Sequence, residues 1–320
     1  MSKHNIHSGF AIAIAWPETW CKQPGDWYDG IMAFLKFSSN HYYKVGHAAV
    51  VLVEKQSGHC YYYDFGRYHT PFKHGRVRSA ETDTGLGIKI RAKISDDEKK
   101  IENFSDILTS LQLNAECHGE GRIFASYCGI NFESANNEAI KLQQKSPLPY
   151  GPFTAGGSNC SRFVNSVIAA GNPARSIAIK LQYFKPLTPR PIDNVNALGD
   201  KVVVEKLLQS EPFCPNPLID KSVLRNTLPM PLKHPEIPDN ARWISGEGAG
   251  SWFVIDKADS RFFVSRFCPS GNIECQGHFL TDKEGLPDIN RPFEVVHLSH
   301  CKRIKVQQNN QTISLFRVNN

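Results

Sequence analysis

The sequence predicts an α+β protein in two parts: a mixed helix-and-strand domain over residues 1–185 and a small C-terminal all-β domain over 240–320. Three observations lead there. Through residue 185, apolar segments of strand period alternate with segments at helical spacing. Ten prolines then interrupt residues 186–240, a density that prevents long helices and central strands. A connector over 186–239 that drapes over the first domain fits this stretch. Beyond Asp239, six short β-rich runs are separated by Gly, Pro, Asn and Asp, the pattern of a small antiparallel barrel or sandwich.

The elements follow in order. Residues 10–16 form a strand, and 26–37 carry helical spacing at Trp27, Ile31, Phe34 and Leu35. Residues 47–54 are apolar on both faces and predict a central strand. Residues 55–58 turn the chain, and 60–65 return it. An apolar–charged alternation over 88–94 predicts a third strand, and 97–113 an amphipathic helix with Ile101, Phe104, Ile107, Leu108 and Leu111 on one stripe. Residues 122–128 read as a strand and 133–144 as a helix ended by Ser146-Pro147. Within the connector, only residues 200–209 have the pattern of a helix.

Composition excludes several classes. At 320 residues, the chain is too long for one minimal core and suits a medium domain plus a small one. With 41% hydrophobic and 21% charged residues it is neither disordered nor collagen-like. The apolar run at 10–16 has seven residues and stops at Pro17, whereas a spanning helix needs about 20. A signal peptide needs a basic flank and a cleavage site that are absent here. The expectation is a soluble, cytoplasmic chain with no membrane span. Net charge is +6, from 37 Lys+Arg against 31 Asp+Glu. The densest basic patches, 73–78 and 302–305, alternate with apolar or small residues as exposed strand faces do, so no nucleic-acid partner is expected. Nine cysteines at irregular spacing fit a reducing compartment, each a buried small hydrophobe unless argued otherwise.

One cysteine is different. Gly156-Gly157-Ser158-Asn159-Cys160 opens a helix in which Cys160, Phe163, Val164, Val167, Ile168 and Gly171 share a face. Ser158 or Asn159 caps it, and Gly171-Asn172-Pro173 stops it. Cys160 thus sits in the first turn, where orphan N–H groups and the helix dipole favour a thiolate and a developing oxyanion. Position alone fits a core cysteine equally well. A nucleophile needs a base, and His47, at the mouth of the doubly apolar strand, is either that base or a satisfied core residue. His4, His7, His74 and His118 lie among polar or terminal residues. An even-length loop at 55–58 pairs Ala49 with Asp64, which puts Asp64 on the face of His47 and diagonal to it. An odd-length loop turns it away.

Gly46-His47-Ala48-Ala49-Val50-Val51-Leu52, followed much later by Asn159-Cys160-Ser161-Arg162-Phe163-Val164, resembles the circularly permuted NlpC-type papain-like cysteine peptidases. That clan includes the lecithin:retinol acyltransferase family. The order His, polar residue, Cys reverses that of papain. The resemblance covers about residues 8–185 and implies Cys160 as nucleophile, His47 as base and Asp64 as the third polar residue. Many permuted members have His or Glu where Asp64 stands, and the stretch 88–144 is longer than in compact members.

Cys268, Cys275, His278, His300 and Cys301 invite a zinc reading, but structural zinc sites favour Cys pairs with two to four residues between them. Here the first gap is six, and strand-packed cysteines are the expectation, with no cofactor or metal. Gly246-Glu247-Gly248-Ala249-Gly250 lacks the strand and helix that would make it a phosphate loop. Three functions remain open. The first is a thiol-dependent amide hydrolase acting on a peptide or cell-wall-like amide through an acyl-Cys160 intermediate, with acyl transfer or ester hydrolysis as variants. The second is a non-catalytic binder using the papain-like groove. The third is an interaction protein whose β domain does the recognising. The joint presence of Cys160, His47 and Asp64 favours the first.

Overall fold

The computed structural model describes residues 7–318 apart from 24, 28, 35–37, 152–153, 185–188, 208–224 and 284. His4, Leu35, Cys214 and the prolines at 186, 212, 215 and 217 lie outside the described residues. The protein is α+β. Its first part comprises β1 (Gly9–Trp16), β2 (Trp20–Lys22), α1 (Asp29–Phe34), β3 (Ser38–Ser39), β4 (Tyr42–Lys44), β5 (His47–Glu54), β6 (Cys60–Gly66) and β7 (His74–Arg78). There follow α2 (Phe104–Gln112), β8 (Ile123–Ile130), α3 (Phe132–Lys145), β9 (Leu148–Pro149), α4 (Cys160–Ala170), α5 (Arg175–Phe184), α6 (Pro191–Leu198) and β10 (Val202–Val204).

Among the described residues seven of these strands make an antiparallel sheet in the order β10-β8-β1-β5-β6-β7-β9, and β2, β4 and β3 make a small second one. β1 and β5 are the centre of the larger sheet because both are apolar on both faces. Ala11, Ala13, Val50 and Leu52 meet Phe163, Val164, Val167 and Ile168 of α4 on one side. Ile12, Ile14, Val51 and Val53 meet Ile107, Leu108 and Leu111 of α2 on the other. Alanine on the α4 side lets the helix lie close to the sheet. No helix among the described residues is long and apolar enough to cross a membrane.

The second part contains β11 (Arg242–Ile244), β12 (Ser251–Ala258), β13 (Arg261–Phe267), β14 (Ile273–Thr281), β15 (Glu294–His300), β16 (Arg303–Gln308) and β17 (Gln311–Arg317). It is all-β, in the order β11-β12-β13-β14-β17-β16-β15. The first and last strands in that order come back into contact, so the sheet curls nearly shut around Phe253, Val264, Phe279, Val306 and Leu315.

Several local expectations fail for physical reasons. Residues 88–94 are extended but not a strand: β6 is already paired on both sides by β5 and β7, so no edge is left, and the segment touches the β5–β6 turn through Ala92 N–H to Gly58 O at 2.7 Å. α2 begins at Phe104, not 97, because Ile101 pairs with Ile94 in an isolated bridge. α1 is a short surface helix starting at Asp29, not 26: its Ile31 and Phe34 are 53% and 85% exposed, and Trp27 just before it is 76% exposed. Residues 202–204 are a strand on β8 rather than the start of a helix. The helix of the proline-rich stretch is α6 instead: Pro191 opens it at its first turn, where a missing N–H costs nothing. Arg76 and Arg78, read as an exposed basic face, are each 2% exposed. Cys275 and Cys301 form a disulfide, their Cα atoms 6.0 Å apart, which corrects the expectation of reduced, merely packed cysteines there. Curling of the β sheet joins positions that sequence spacing keeps 26 residues apart.

The two parts meet through buried polar groups. Glu247, fully buried, pairs with Arg67 and accepts the Lys73 N–H at 2.8 Å. Gly248 N–H donates to Arg67 O at 2.8 Å and His69 N–H to Ala249 O at 3.0 Å. The glycines of this loop permit the approach: a Cβ on Gly246 would sit 2.6 Å from the His69 nitrogen.

Ile12, wholly buried in β1, tests the two-faced centre. Ile12→Ala should cost about 2–5 kcal/mol in urea unfolding, while Ile179→Ala, at a side chain 57% exposed, should cost under about 0.5 kcal/mol.

Candidate active site

Three elements converge at the N-terminal end of β5. Gly46 precedes it with φ +79°, and an added Cβ would lie 2.9 Å from Trp16 O, so only glycine lets the chain enter the strand here. His47 follows, 5% exposed. The register pairs Ala49 with Asp64, and Asp64 on β6 turns to the face His47 shares with Ala49 and Val51. The His47 Nε2 to Asp64 Oδ2 distance is 3.3 Å.

α4 delivers Cys160 as its first residue. Asn159 caps the helix, its side-chain oxygen accepting the Arg162 N–H at 2.9 Å. The first-turn N–H groups have no intrahelical acceptor and point toward the thiol end. Cys160 is 8% exposed and lies close enough to His47 and the Ala48 N–H for both to act on its thiol, with Ser161 Oγ 3.9 Å from its sulfur. With Nε2 on the carboxylate, Nδ1 is the ring nitrogen left for the thiol.

Asp64 is wholly buried and fully occupied. It accepts Arg78 Nε at 3.0 Å, Arg78 Nη2 at 2.5 Å and the Tyr62 hydroxyl at 3.0 Å, besides His47. Trp16 stacks on the His47 ring, centroids 5.8 Å apart and planes 23° apart. Tyr68 stands edge-on to His47 at 6.3 Å, carries the Arg78 guanidinium over its face at 3.7 Å, and stacks on His118 at 5.2 Å. The imidazole is thus fixed on three sides.

The electrostatics follow from these contacts. Burial raises the Asp64 carboxyl, but the Arg78 charge and the bonds from His47 and Arg78 hold it well below the usual carboxylate range. Burial opposes charge on His47, yet its bonds to Asp64 and Cys160 lift it to about 9. Burial would raise the Cys160 thiol too, and the His47 bond and charge, the Ser161 hydroxyl and the Ala48 N–H outweigh it, so the thiol lies below its ordinary value. The arrangement favours a thiolate–imidazolium pair at neutral pH. Elsewhere burial pushes Cys21 and Cys60 up to about 11 and Cys117 and Cys128 up to about 12.

The three residues singled out in the sequence therefore lie together. Arg78, Tyr62, Trp16 and Tyr68 around them do not emerge from sequence reading. Arg78 is set by strand pairing that spacing alone does not give: in the β6–β7 register it is the direct partner of Asp64.

The pair forms as pH rises through the lowered Cys160 value and persists until His47 loses its proton near pH 9. Iodoacetamide at pH 7 should therefore label Cys160 well before Cys21, Cys60, Cys117 or Cys128. His47→Ala should slow it by about ten-fold or more. Equal rates at Cys160 and Cys21, mapped by mass spectrometry, would contradict the pairing.

A search of the curated proteins finds none that matches this chain. A solved structure, titled as the crystal structure of the type VI secretion system effector TseH, matches at 22% identity with a TM-score of 0.37, over 62% of this chain and 98% of that one. The model described as "DUF6695 C-terminal domain" matches residues 241–318. The model described as "Type VI secretion system effector TseH-like" matches residues 11–177, more than half of the chain and including His47, Asp64 and Cys160, and to that effector family the chain belongs.

Proposed function

We propose that the protein is a cysteine-dependent amide hydrolase on a permuted papain-like scaffold of the NlpC type, acting through an acyl-Cys160 intermediate. The observation that supports this most is His47, held between the Asp64 carboxylate at 3.3 Å and the Cys160 thiol. The catalytic unit is residues 1–185, and 240–320 is a recognition module. An effector acts where it is delivered, which favours a peptide or cell-wall-like amide over a metabolite, and makes the cytoplasm its place of synthesis rather than of action.

The Cys160 thiolate attacks the amide carbonyl carbon, forming C–S and moving the π electrons onto oxygen. The free N–H groups of the first turn of α4 stabilise that oxyanion. His47, protonated, gives its proton to the amide nitrogen as the C–N bond breaks and the amine leaves. A water then attacks the thioester while His47 takes its proton; the C–S bond breaks, the acid departs and the thiolate–imidazolium pair is restored. Asp64 keeps the ring oriented throughout and stabilises its charged form before acylation and after deacylation, and Trp16 and Tyr68 block its rotation.

p-Nitrophenyl acetate is an amide-independent probe of the acyl-enzyme step. Intact-mass and peptide mapping should find an acetyl group on Cys160 and none in Cys160→Ala. Acetylation should slow by about 10³-fold or more in His47→Ala and less in Asp64→Asn. Acetylation confined to other residues would overturn the proposal.

A further inference from the structure

A cavity of about 690 Å³ lies between the two halves of the protein, away from Cys160, walled by β6, β7 and α3 on one side and β15–β17 on the other. Its size is that of a site for a small organic ligand. Ile88 and Ile140 from the first half, and Leu298 and Phe316 from the second, supply apolar surface. Three cationic side chains line it as well, and two have counter-ions. Arg76 is bound by both oxygens of Asp83 at 2.6 and 2.7 Å, and Lys302 pairs with Glu81.

Arg303 is the exception. It stands on β16 between His300 and Phe316 in the strand pairing, is half-buried, and pairs with no carboxylate among the described residues. Its Nε is buried without a hydrogen-bond partner. A half-buried guanidinium without an anion is costly, and its planar fork matches two oxygens of one acidic group. Beside it, His300 Nδ1 accepts the Lys302 N–H at 3.3 Å, which places the ring proton on Nε2 as a second donor.

We propose that this cavity is a binding site for a small amphipathic anion, an apolar or aromatic body with one carboxylate, sulfonate or phosphate head held by Arg303. Because both halves contribute walls, the ligand also ties the β domain to the first domain. The site is separate from the Cys160 chemistry and stands or falls without it.

8-Anilinonaphthalene-1-sulfonate has this chemistry, and N-phenyl-1-naphthylamine is the same body without the sulfonate. Titrated by fluorescence into the full chain, the sulfonate should bind at one site, about ten-fold or more tighter than the neutral dye. Arg303→Gln should remove that preference, and Ile140→Trp, which fills the cavity, should remove the site. Alkylation of Cys160 should be unchanged in both variants. Equal affinity for the two dyes in the unsubstituted protein, or sulfonate binding undiminished in Arg303→Gln, would overturn the proposal. Both dyes settling on the exposed stripe of Trp27 and Phe34 would give the first of those results.

Discussion

The carboxylate of Asp64 is the point on which the rest of the structure turns. It lies at zero exposure in the sheet, where an isolated charge would be prohibitive. Arg78 makes it tolerable, with Tyr62 and His47 completing its coordination. The Asp64–Arg78 pair is a buried cross-strand ion pair first and a part of the site second. Its worth as stability is modest as long as it is complete, and breaking it leaves a naked charge. The charge then passes along the chain: a fixed anion at Asp64 stabilises a cation at His47, and that cation lowers the thiol of Cys160.

The same contacts set how folding responds to pH. Asp64 has a folded value below its unfolded one, so its contribution is present above the unfolded value and is lost as pH falls through the folded value. His47 is raised from 6.5 to about 9, so its contribution is complete below 6.5 and is lost as pH rises through about 9. A second buried network extends from the neighbouring strand: Asp83 holds Arg76 of β7 and, at 3.0 Å, Arg266 of β13. Arg266 also pairs with Glu274 at 2.7 Å, and Glu274 accepts the Ser251 hydroxyl. The β domain is therefore docked through charges adjacent to the site, and not only through the Glu247 loop.

Sequence patterning reveals what is local. The doubly apolar β5, the capped start of α4, and the face of Asp64 all follow from residue spacing, because each depends on a period, a cap or a loop of even length. What depends on distant pairing is hidden. Arg76 and Arg78 alternate with small and apolar residues just as a solvated edge strand does, and only the positions of Asp64 and Asp83 show that they face inward. Residues 88–94 have the alternation of a strand but find no free edge. Cys275 and Cys301 meet only because the second sheet curls, and Glu247 sits in a glycine-rich loop whose burial depends on the other half of the molecule. Pro191, counted with the helix breakers, begins a helix because only its place in the first turn matters.

The charge chain from Arg78 through Asp64 and His47 to Cys160 can be measured at its middle member. Following the His47 ring by NMR through a pH titration, the account predicts a midpoint near 9 in the unsubstituted protein and a much lower one in Asp64→Asn, since burial then acts on the imidazolium without its anion. A midpoint near the ordinary 6.5 that does not move when Asp64 is replaced would contradict it.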